Sequence, residues 1–419
     1  MGIPDQLSSL TFDRLPSRAD LTITIEPITH HVIRPLLLAS LLLAPLNAAP
    51  VTFEEKDGLA ILSNGVITAT VEKNPASIRS LRFHDAEFIR QERGGAYYSM
   101  DGGKNFRVPA GCSFRVHQHT PETIDIAMTQ PWKDHVQAVD MEIHYVVRAG
   151  VSGLYTYAIL RHPAAYPATK FGEWRMVWKL PSDLLDTICV DRLRFRKMPT
   201  ATEFADAQHT DITEIVKLTT GPWAGKFDCK YDYNAEYHST PFWGHADSRS
   251  GLGAWMVFGA HEWFNDGPTK QDLTAADRII HVHFGMDHYH SEPTSLAAGE
   301  EWSKTFGPFL LYLNHVDGGP AASVLDAGKK TKEESAAWPF AWMPPSPDYP
   351  SAECRGTATG RFRITDSAKP GLTSANGWIG LSQPDQGGNW QFESKHYQYW
   401  SRIAADGGFT IPHVRPGNY

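Results

Sequence analysis

Between residues 59 and 313 the apolar residues come in short β-rich runs closed by turn formers, and no stretch carries the extended period of a long amphipathic helix. Residues 59–62, the Asn64-Gly65 pair and residues 66–71 predict a hairpin, with a type I′ turn at Asn-Gly. Further strands are expected at 142–148, 153–160, 174–180, 253–259, 279–284 and 306–313. Strand after strand without intervening helices predicts a large antiparallel sandwich, not alternating βαβ units. No internal repeat is visible, which excludes a propeller or solenoid.

The remainder of the 419 residues reads as smaller pieces around this sandwich. Residues 320–338 fit a helix, with Val324, Leu325, Gly328, Thr331, Ser335 and Trp338 at compatible positions, and the Pro-rich run FAWMPPSPDYP follows as a linker. Beyond Arg355, β-rich segments at 360–364, 377–381 and 409–414 suggest a second, small β-sandwich. The chain stops at Pro416-Gly417-Asn418-Tyr419, within what reads as a strand and turn, so a truncated chain is expected. At the other end, the apolar run PLLLASLLLAPL (35–46) follows His30, His31 and Arg34 and precedes Asn47-Ala48-Ala49. A charged flank, a short apolar region and a small-residue site predict a secretory leader cleaved near Ala49. The run is too short to cross a bilayer, which takes about 20 apolar residues. The residues ahead of it are more than a leader needs, which points to translation starting at Val32. The expected organisation is an N-terminal extension and leader over 1–49, the large sandwich over 50–319, a helix and Pro-rich linker over 320–350, and the small sandwich over 351–419.

Composition narrows the function classes. With 42 % hydrophobic and 21 % charged residues the chain is globular, neither disordered nor a coiled coil. A net charge of −8 argues against nucleic-acid binding through a broad basic surface, so an anionic ligand must meet a local cluster of cations. Cys112, Cys189, Cys229 and Cys354 are too far apart for CxxC motifs and make one or two bridges at most.

Three clusters carry candidate chemistry. In His281-Val-His283-Phe-Gly285-Met-Asp-His288-Tyr-His290, a strand sets His281 and His283 on one face, and His288 and His290 follow a glycine. Such a group can ligate zinc, serve as a structural polar cluster or supply one catalytic histidine; no cysteine joins it and HExxH is absent. In Lys226-Phe-Asp228-Cys-Lys230-Tyr-Asp-Tyr-Asn, alternation is expected to put Lys226, Asp228 and Lys230 on one side, where a lysine can be a fixed cation, a proton donor or an exposed strand residue. In GEWRMVWKL from Gly172, period two aligns Arg175 and Lys179 with Glu173 and Val177. Two cations on one face of a strand flanked by tryptophans suit a sugar-acid subsite, the alternative being a solvated strand face over buried tryptophans.

These runs, together with GPTKQDLT from Gly267, Asp287-His288-Tyr289 and GEEWSKTFGPFLLYLN from Gly299, resemble the rhamnogalacturonan endolyases, family 4 of the polysaccharide lyases. The resemblance continues through Trp338-Pro339, RGTATG from Arg355, GNWQFESKHYQYW and DGGFTIPHVRPGNY, covering residues 51–419. It implies an all-β chain: a galactose-mutarotase-like catalytic sandwich, then a fibronectin-III-like domain, with the family's C-terminal jelly roll absent. It places the catalytic lysine on Lys230, the catalytic histidine on His288, and the two substrate-positioning cations on Arg175 and Lys179. Lys226 and His290 are the neighbouring alternatives. Lys179 departs from the family's arginine, keeping the charge but losing the bidentate fork.

The implied reaction suits these residue types. Removing H5 of galacturonate, next to a carboxylate, and expelling the glycosidic oxygen from C4 calls for cations on the carboxylate, a base and a proton donor. His288 fits the base and Lys230 the donor, and the reverse assignment stays open. Elimination consumes no water and needs no organic cofactor; no catalytic metal is expected, and calcium is possible only as a structural ion. The resemblance further implies a secreted, monomeric enzyme whose partner is the polysaccharide rhamnogalacturonan I, with no nucleic acid and no membrane. A noncatalytic pectin-binding protein and a mutarotase-like sugar epimerase are the alternatives.

Overall fold

The computed structural model describes residues 23–24, 49–101, 106–134, 136–181, 183–285, 292–366, 368–369, 371–383 and 389–419. Almost every element is a strand, and 19 of the 31 strands among the described residues belong to two large antiparallel sheets, the rest to small sheets of two or three. One sheet of ten strands runs Thr52–Lys56, Leu59–Ser63, Ile67–Glu72, Ser77–Phe83, Ala96–Asp101, Trp174–Lys179, Ile279–His283 and Ala275–Ala276, with two short strands off that path. The other, of nine, runs from Phe195–Lys197 through Thr187–Cys189, Phe242–Ala246, Leu252–Phe258, Trp302–His315, Gly153–His162, Asp140–Arg148 and Thr123–Gln130 to Ser113–His119. The strands expected from the sequence are all present within a few residues of their expected limits.

Alternation explains how the sheets meet. Ile67, Ala69 and Val71 are buried while Thr68, Thr70 and Glu72 are not. Between the sheets lie large aromatics: Trp174 stacks on Tyr98 with ring centroids 5.2 Å apart and meets Phe306 of the other sheet edge-on at 6.4 Å. The Tyr98 hydroxyl also hydrogen-bonds Thr156 Oγ1 across the core at 2.9 Å. A buried phenol would otherwise have no partner.

The Asn64-Gly65 hairpin forms, but not with a two-residue turn. Ser63 pairs with Thr68, which leaves a four-residue loop in which only Gly65 takes positive φ (77°). Asn64 is used differently from a turn residue. Its side-chain oxygen accepts from the amides of Val66 (3.0 Å) and Ile67 (2.9 Å), while its nitrogen donates to the carbonyls of Arg148 (2.6 Å) and Val151 (2.8 Å). One buried amide thus closes its own loop and ties it to the hairpin turn of the other sheet.

The helix spans Gly319–Ala337 and packs outside the nine-stranded sheet. It buries Ser323, Ala327, Thr331 and Glu334; of the expected stripe, Thr331 and Trp338 are buried while Leu325 is 69 % exposed. The helix docks through small and hydrogen-bonding groups. Ser323 donates to Asn314 Oδ1 (2.7 Å) and the Tyr155 hydroxyl donates to Glu334 (2.9 Å).

Two compact units result. Among the described residues, the larger holds those of 49–355, 381–399 and 415–419, and the smaller includes those of 356–380 and 400–414. Within the larger unit, Glu262 ties the later segments to the sandwich, its backbone carbonyl accepting from Gln398 N (3.0 Å) and its carboxylate from Arg355 Nη1 (2.6 Å) and Arg415 Nε (2.8 Å). Within the smaller, Gly356–Phe362 pairs antiparallel with Gly408–Val414. The four cysteines are unbridged. Among the described residues no helix is long and apolar enough to cross a membrane, and the leader run at 35–46 lies outside them.

Two stability predictions follow from these contacts. Asn64→Ala strands two loop amides and two carbonyls and should lower unfolding free energy by about 2–4 kcal/mol in urea titrations; an unchanged midpoint would contradict the loop's role. Burial holds the His245 and His261 imidazoles down at about 4, against an ordinary 6.5, and pushes His238 in the same direction. The unfolded chain therefore binds more protons below pH 6.5, and stability should fall between there and pH 4 by about 3 kcal/mol for each of His245 and His261. His261→Phe, in a pocket of Phe258 and Phe264, should flatten that slope; an undiminished slope would locate the acid sensitivity elsewhere.

Candidate active site

The strand Trp174–Lys179 sorts its side chains by parity. Trp174, Met176 and Trp178 enter the core, so Arg175, Val177 and Lys179 occupy the opposite face. Register adds the neighbours: Arg175 lies opposite Ser99 and His283, Val177 opposite Tyr97 and His281, and Lys179 opposite Ile279. Directly paired residues share a face. Arg175, Lys179, His281 and His283 therefore form one polar patch on the ten-stranded sheet, as period two implied.

Arg175 is held rigidly. Its Nη1 donates to Glu173 Oε1 (2.8 Å), its Nε donates to Ser99 Oγ (3.1 Å), and its guanidinium sits 3.6 Å from the centroid of the Phe106 ring. Glu173 Oε1 also lies 3.2 Å from His283 Nδ1, which is 3.7 Å from Asp272 Oδ1. Lys179 places its ammonium 5.0 Å from the Tyr97 ring centroid. Ring faces carry negative charge, so both cations gain from these positions while their heads keep a direction.

Lys230 lies on a different segment. The strand Phe227–Cys229 ends just before it, and Lys230 opens the 3-10 turn Lys230–Tyr233. The expected common side of Lys226, Asp228 and Lys230 is therefore not formed. Asp228 turns inward, accepting from the Tyr233 hydroxyl at 2.6 Å with Arg196 at 3.7 Å, and burial raises its carboxyl. Lys226 is exposed, whereas the Lys230 side chain is 30 % exposed, 3.6 Å from Glu214 and over the Tyr231 ring. The segment after Lys230 is tied to the sheet: Asn234–Glu236 pairs with Gln271–Leu273, and Thr274 Oγ1 donates to the Tyr233 carbonyl. Residues 275–276 then pair with the strand that carries His281 and His283. His288 and His290 lie outside the described residues.

Lys270 and Asp272 were not singled out by spacing. The Lys270 ammonium is fully buried and donates to Asn265 Oδ1 (3.1 Å), Asp266 Oδ2 (3.3 Å) and the Gly285 carbonyl (2.9 Å). Only their place within the GPTKQDLT run marked them. Among the described residues no three His, Cys, Asp or Glu side chains converge as a metal-binding group.

Comparison with known proteins reaches the strand that bears Arg175 and Lys179, while Lys230, Lys270 and His283 lie outside the segments that the family models match. Residues 45–224 match the model of the rhamnogalacturonate lyase family, and residues 373–419 match polysaccharide lyase family 4, domain II. The chain belongs to the rhamnogalacturonate lyase family. A rhamnogalacturonate lyase of Dickeya dadantii is 26 % identical, the match covering 73 % of this chain and 50 % of that protein. A probable rhamnogalacturonate lyase B of Aspergillus niger is 22 % identical over 93 % of this chain and 57 % of its own length. The chain thus spans about half the length of these curated relatives. Among solved structures, a galactose mutarotase-like protein from Lactobacillus casei aligns over 61 % of this chain and all of its own, at 10 % identity and a TM-score of 0.36.

In this rhamnogalacturonate lyase family member, Glu173 is the brace on which the Arg175 geometry depends. Glu173→Ala should lower stability by about 1–3 kcal/mol, since it leaves a largely buried guanidinium without its carboxylate. Glu173→Gln should lose less, because an amide oxygen still accepts from Arg175. Equal urea midpoints for all three proteins would show that the pair does not hold the face together.

Proposed function

We propose that the protein is a secreted rhamnogalacturonan lyase that cleaves the rhamnose–galacturonate bond of rhamnogalacturonan I by β-elimination. The observation that carries this reading is the cation pair Arg175 and Lys179 on the face of the ten-stranded sheet opposite the core, with Arg175 pre-positioned by Glu173 and Ser99. A uronate carboxylate facing that pair has its charge balanced before reaction. As H5 leaves, negative charge spreads from C5 into the carboxylate, and fixed cations stabilise that enolate more than they stabilise the ground state.

The electron pair of the C5–H5 bond then forms the C4–C5 double bond, and the C4–O bond breaks. The base keeps H5, and a proton donor gives the departing oxygen its proton, which becomes the hydroxyl of the new rhamnose end. We assign His288 as the base and Lys230 as the donor. An ammonium can give up a proton and a neutral imidazole can take one, which suits a lysine to the donor's role and a histidine to the base's. Lys179 supplies a point charge, not a fork, so the carboxylate is oriented chiefly by Arg175.

Incubation with rhamnogalacturonan I should produce the ultraviolet absorbance of the C4–C5 double bond in step with new reducing ends. Lys230→Ala and His288→Ala should each lower turnover by at least ~10² with the fold intact, and Lys179→Arg should stay active. Saturable binding of the polymer with no new double bond would replace the lyase reading by that of a binding protein. Full activity in Lys230→Ala would move the donor to Lys226.

A further inference from the structure

The nine-stranded sheet carries an ionic cluster on the face turned away from the core. On Asp140–Arg148, Ile143, Tyr145 and Val147 point into the core, which leaves Glu142 and His144 on the other side. His144 Nδ1 lies 2.8 Å from Asp125 Oδ1 and its Nε2 lies 3.0 Å from Glu142 Oε1. The ring of Tyr157 stacks on the imidazole at 4.0 Å, and its hydroxyl donates to Asp125 Oδ2 at 2.7 Å. Glu142 continues outward to Arg115 Nη2 (2.8 Å) and Arg161 Nη1 (3.4 Å), and Arg161 Nη2 donates to Asp348 (2.9 Å). Both ring nitrogens of His144 face carboxylates, so although burial alone would push the imidazole down, Asp125 and Glu142 hold it above its ordinary value.

This network opens into a cavity of about 310 Å³. Its opposite wall is the Pro-rich segment after the helix, with Met343, Pro344, Pro345 and Tyr349. Four features identify what fits. Buried ion networks add little stability over apolar packing of the same volume, so stability alone gives no reason to place one beneath a cavity. Of the side chains lining the cavity, two arginines (Arg115, Arg161) face two carboxylates (Glu142, Asp348), so the site attracts neither anion nor cation as such. One wall offers planar donors and acceptors while the other offers flat apolar surface, the two faces that a hydroxylated ring presents. Finally, the volume lies at the small end for ligand pockets, about 300–1,000 Å³, which suits one ring and not a chain. Arg115 and Arg161, with side chains 45 % and 36 % exposed, stand at the rim where a ligand enters.

We propose that this cavity binds one ring of an uncharged sugar, with Glu142 and Asp348 accepting from its hydroxyls, Arg115 and Arg161 donating to them, and the Met343–Pro345 wall covering its apolar face. The site lies on the other sheet from Arg175 and does not depend on the lyase reading.

Saturation-transfer NMR and calorimetric titration of the full chain with D-galactose and L-rhamnose should show saturable binding with a millimolar Kd for at least one of them. Arg115→Met, at an exposed position, should weaken that binding at least tenfold, and Ser346→Trp at the cavity mouth should abolish it, with the urea unfolding midpoint of the wild type kept in both. Absence of saturable binding to the folded wild type overturns the proposal. Equal binding by the wild type and both variants overturns it too, since the sugar would then sit elsewhere.

Discussion

The burial of Trp174, Met176 and Trp178 is the constraint on which the candidate site depends. A buried tryptophan removes about 150–250 Å² from water, worth several kcal/mol at about 25 cal/mol per Å². A one-residue slip of this strand would expose both tryptophans and bury Arg175 and Lys179 in the core, so no alternative register competes. The same burial fixes the spacing of the cations. Four residues of strand separate their Cα atoms by about 13 Å. Side chains that converge on one carboxylate across that distance must be long, which is what arginine and lysine supply. Functional geometry here is a by-product of core packing, sharpened by the Glu173 and Ser99 contacts that fix where the guanidinium points.

A second anchor explains why distant sequence runs act together. Lys270, from the run that begins at Gly267, donates to the carbonyl of Gly285, the last residue before the segment that contains His288. The same run supplies Asp272, beside His283, and Leu273, paired with the segment that follows Lys230. A buried ammonium is costly unless every proton finds an acceptor, and Asn265, Asp266 and Gly285 meet that need. One connection therefore organises the entrances to both proposed acid–base residues without itself meeting substrate.

How much of this was legible in the sequence varies with the range of the interaction. Strands with one buried face advertise themselves by alternation, so the sandwich and the shared face of Arg175 and Lys179 could be read directly. Asn64 could not, because its two carbonyl partners lie at Arg148 and Val151, far along the chain. The Lys226/Asp228/Lys230 alternation fails because Tyr233 and Arg196 draw Asp228 inward and the strand ends at Cys229. The helix hid most of its packing face because Ser323, Ala327 and Glu334 dock it beside Thr331, and small or polar residues carry little periodic signal. Lys270, Asp272 and the Asp125–His144–Glu142 row depend on tertiary pairings, and no local pattern marks a lysine or histidine that will be buried beside a carboxylate.

The central claim is that the face bearing Arg175 and Lys179 receives the uronate. It is tested most directly by a crystal structure of the Lys230→Ala protein with a rhamnogalacturonan I oligosaccharide bound. The account predicts a galacturonate carboxylate within hydrogen-bonding distance of Arg175 and close to Lys179, with C5 of that ring turned toward His288. An oligosaccharide bound with its carboxylates away from Arg175, or with only neutral rings against that face, would contradict it.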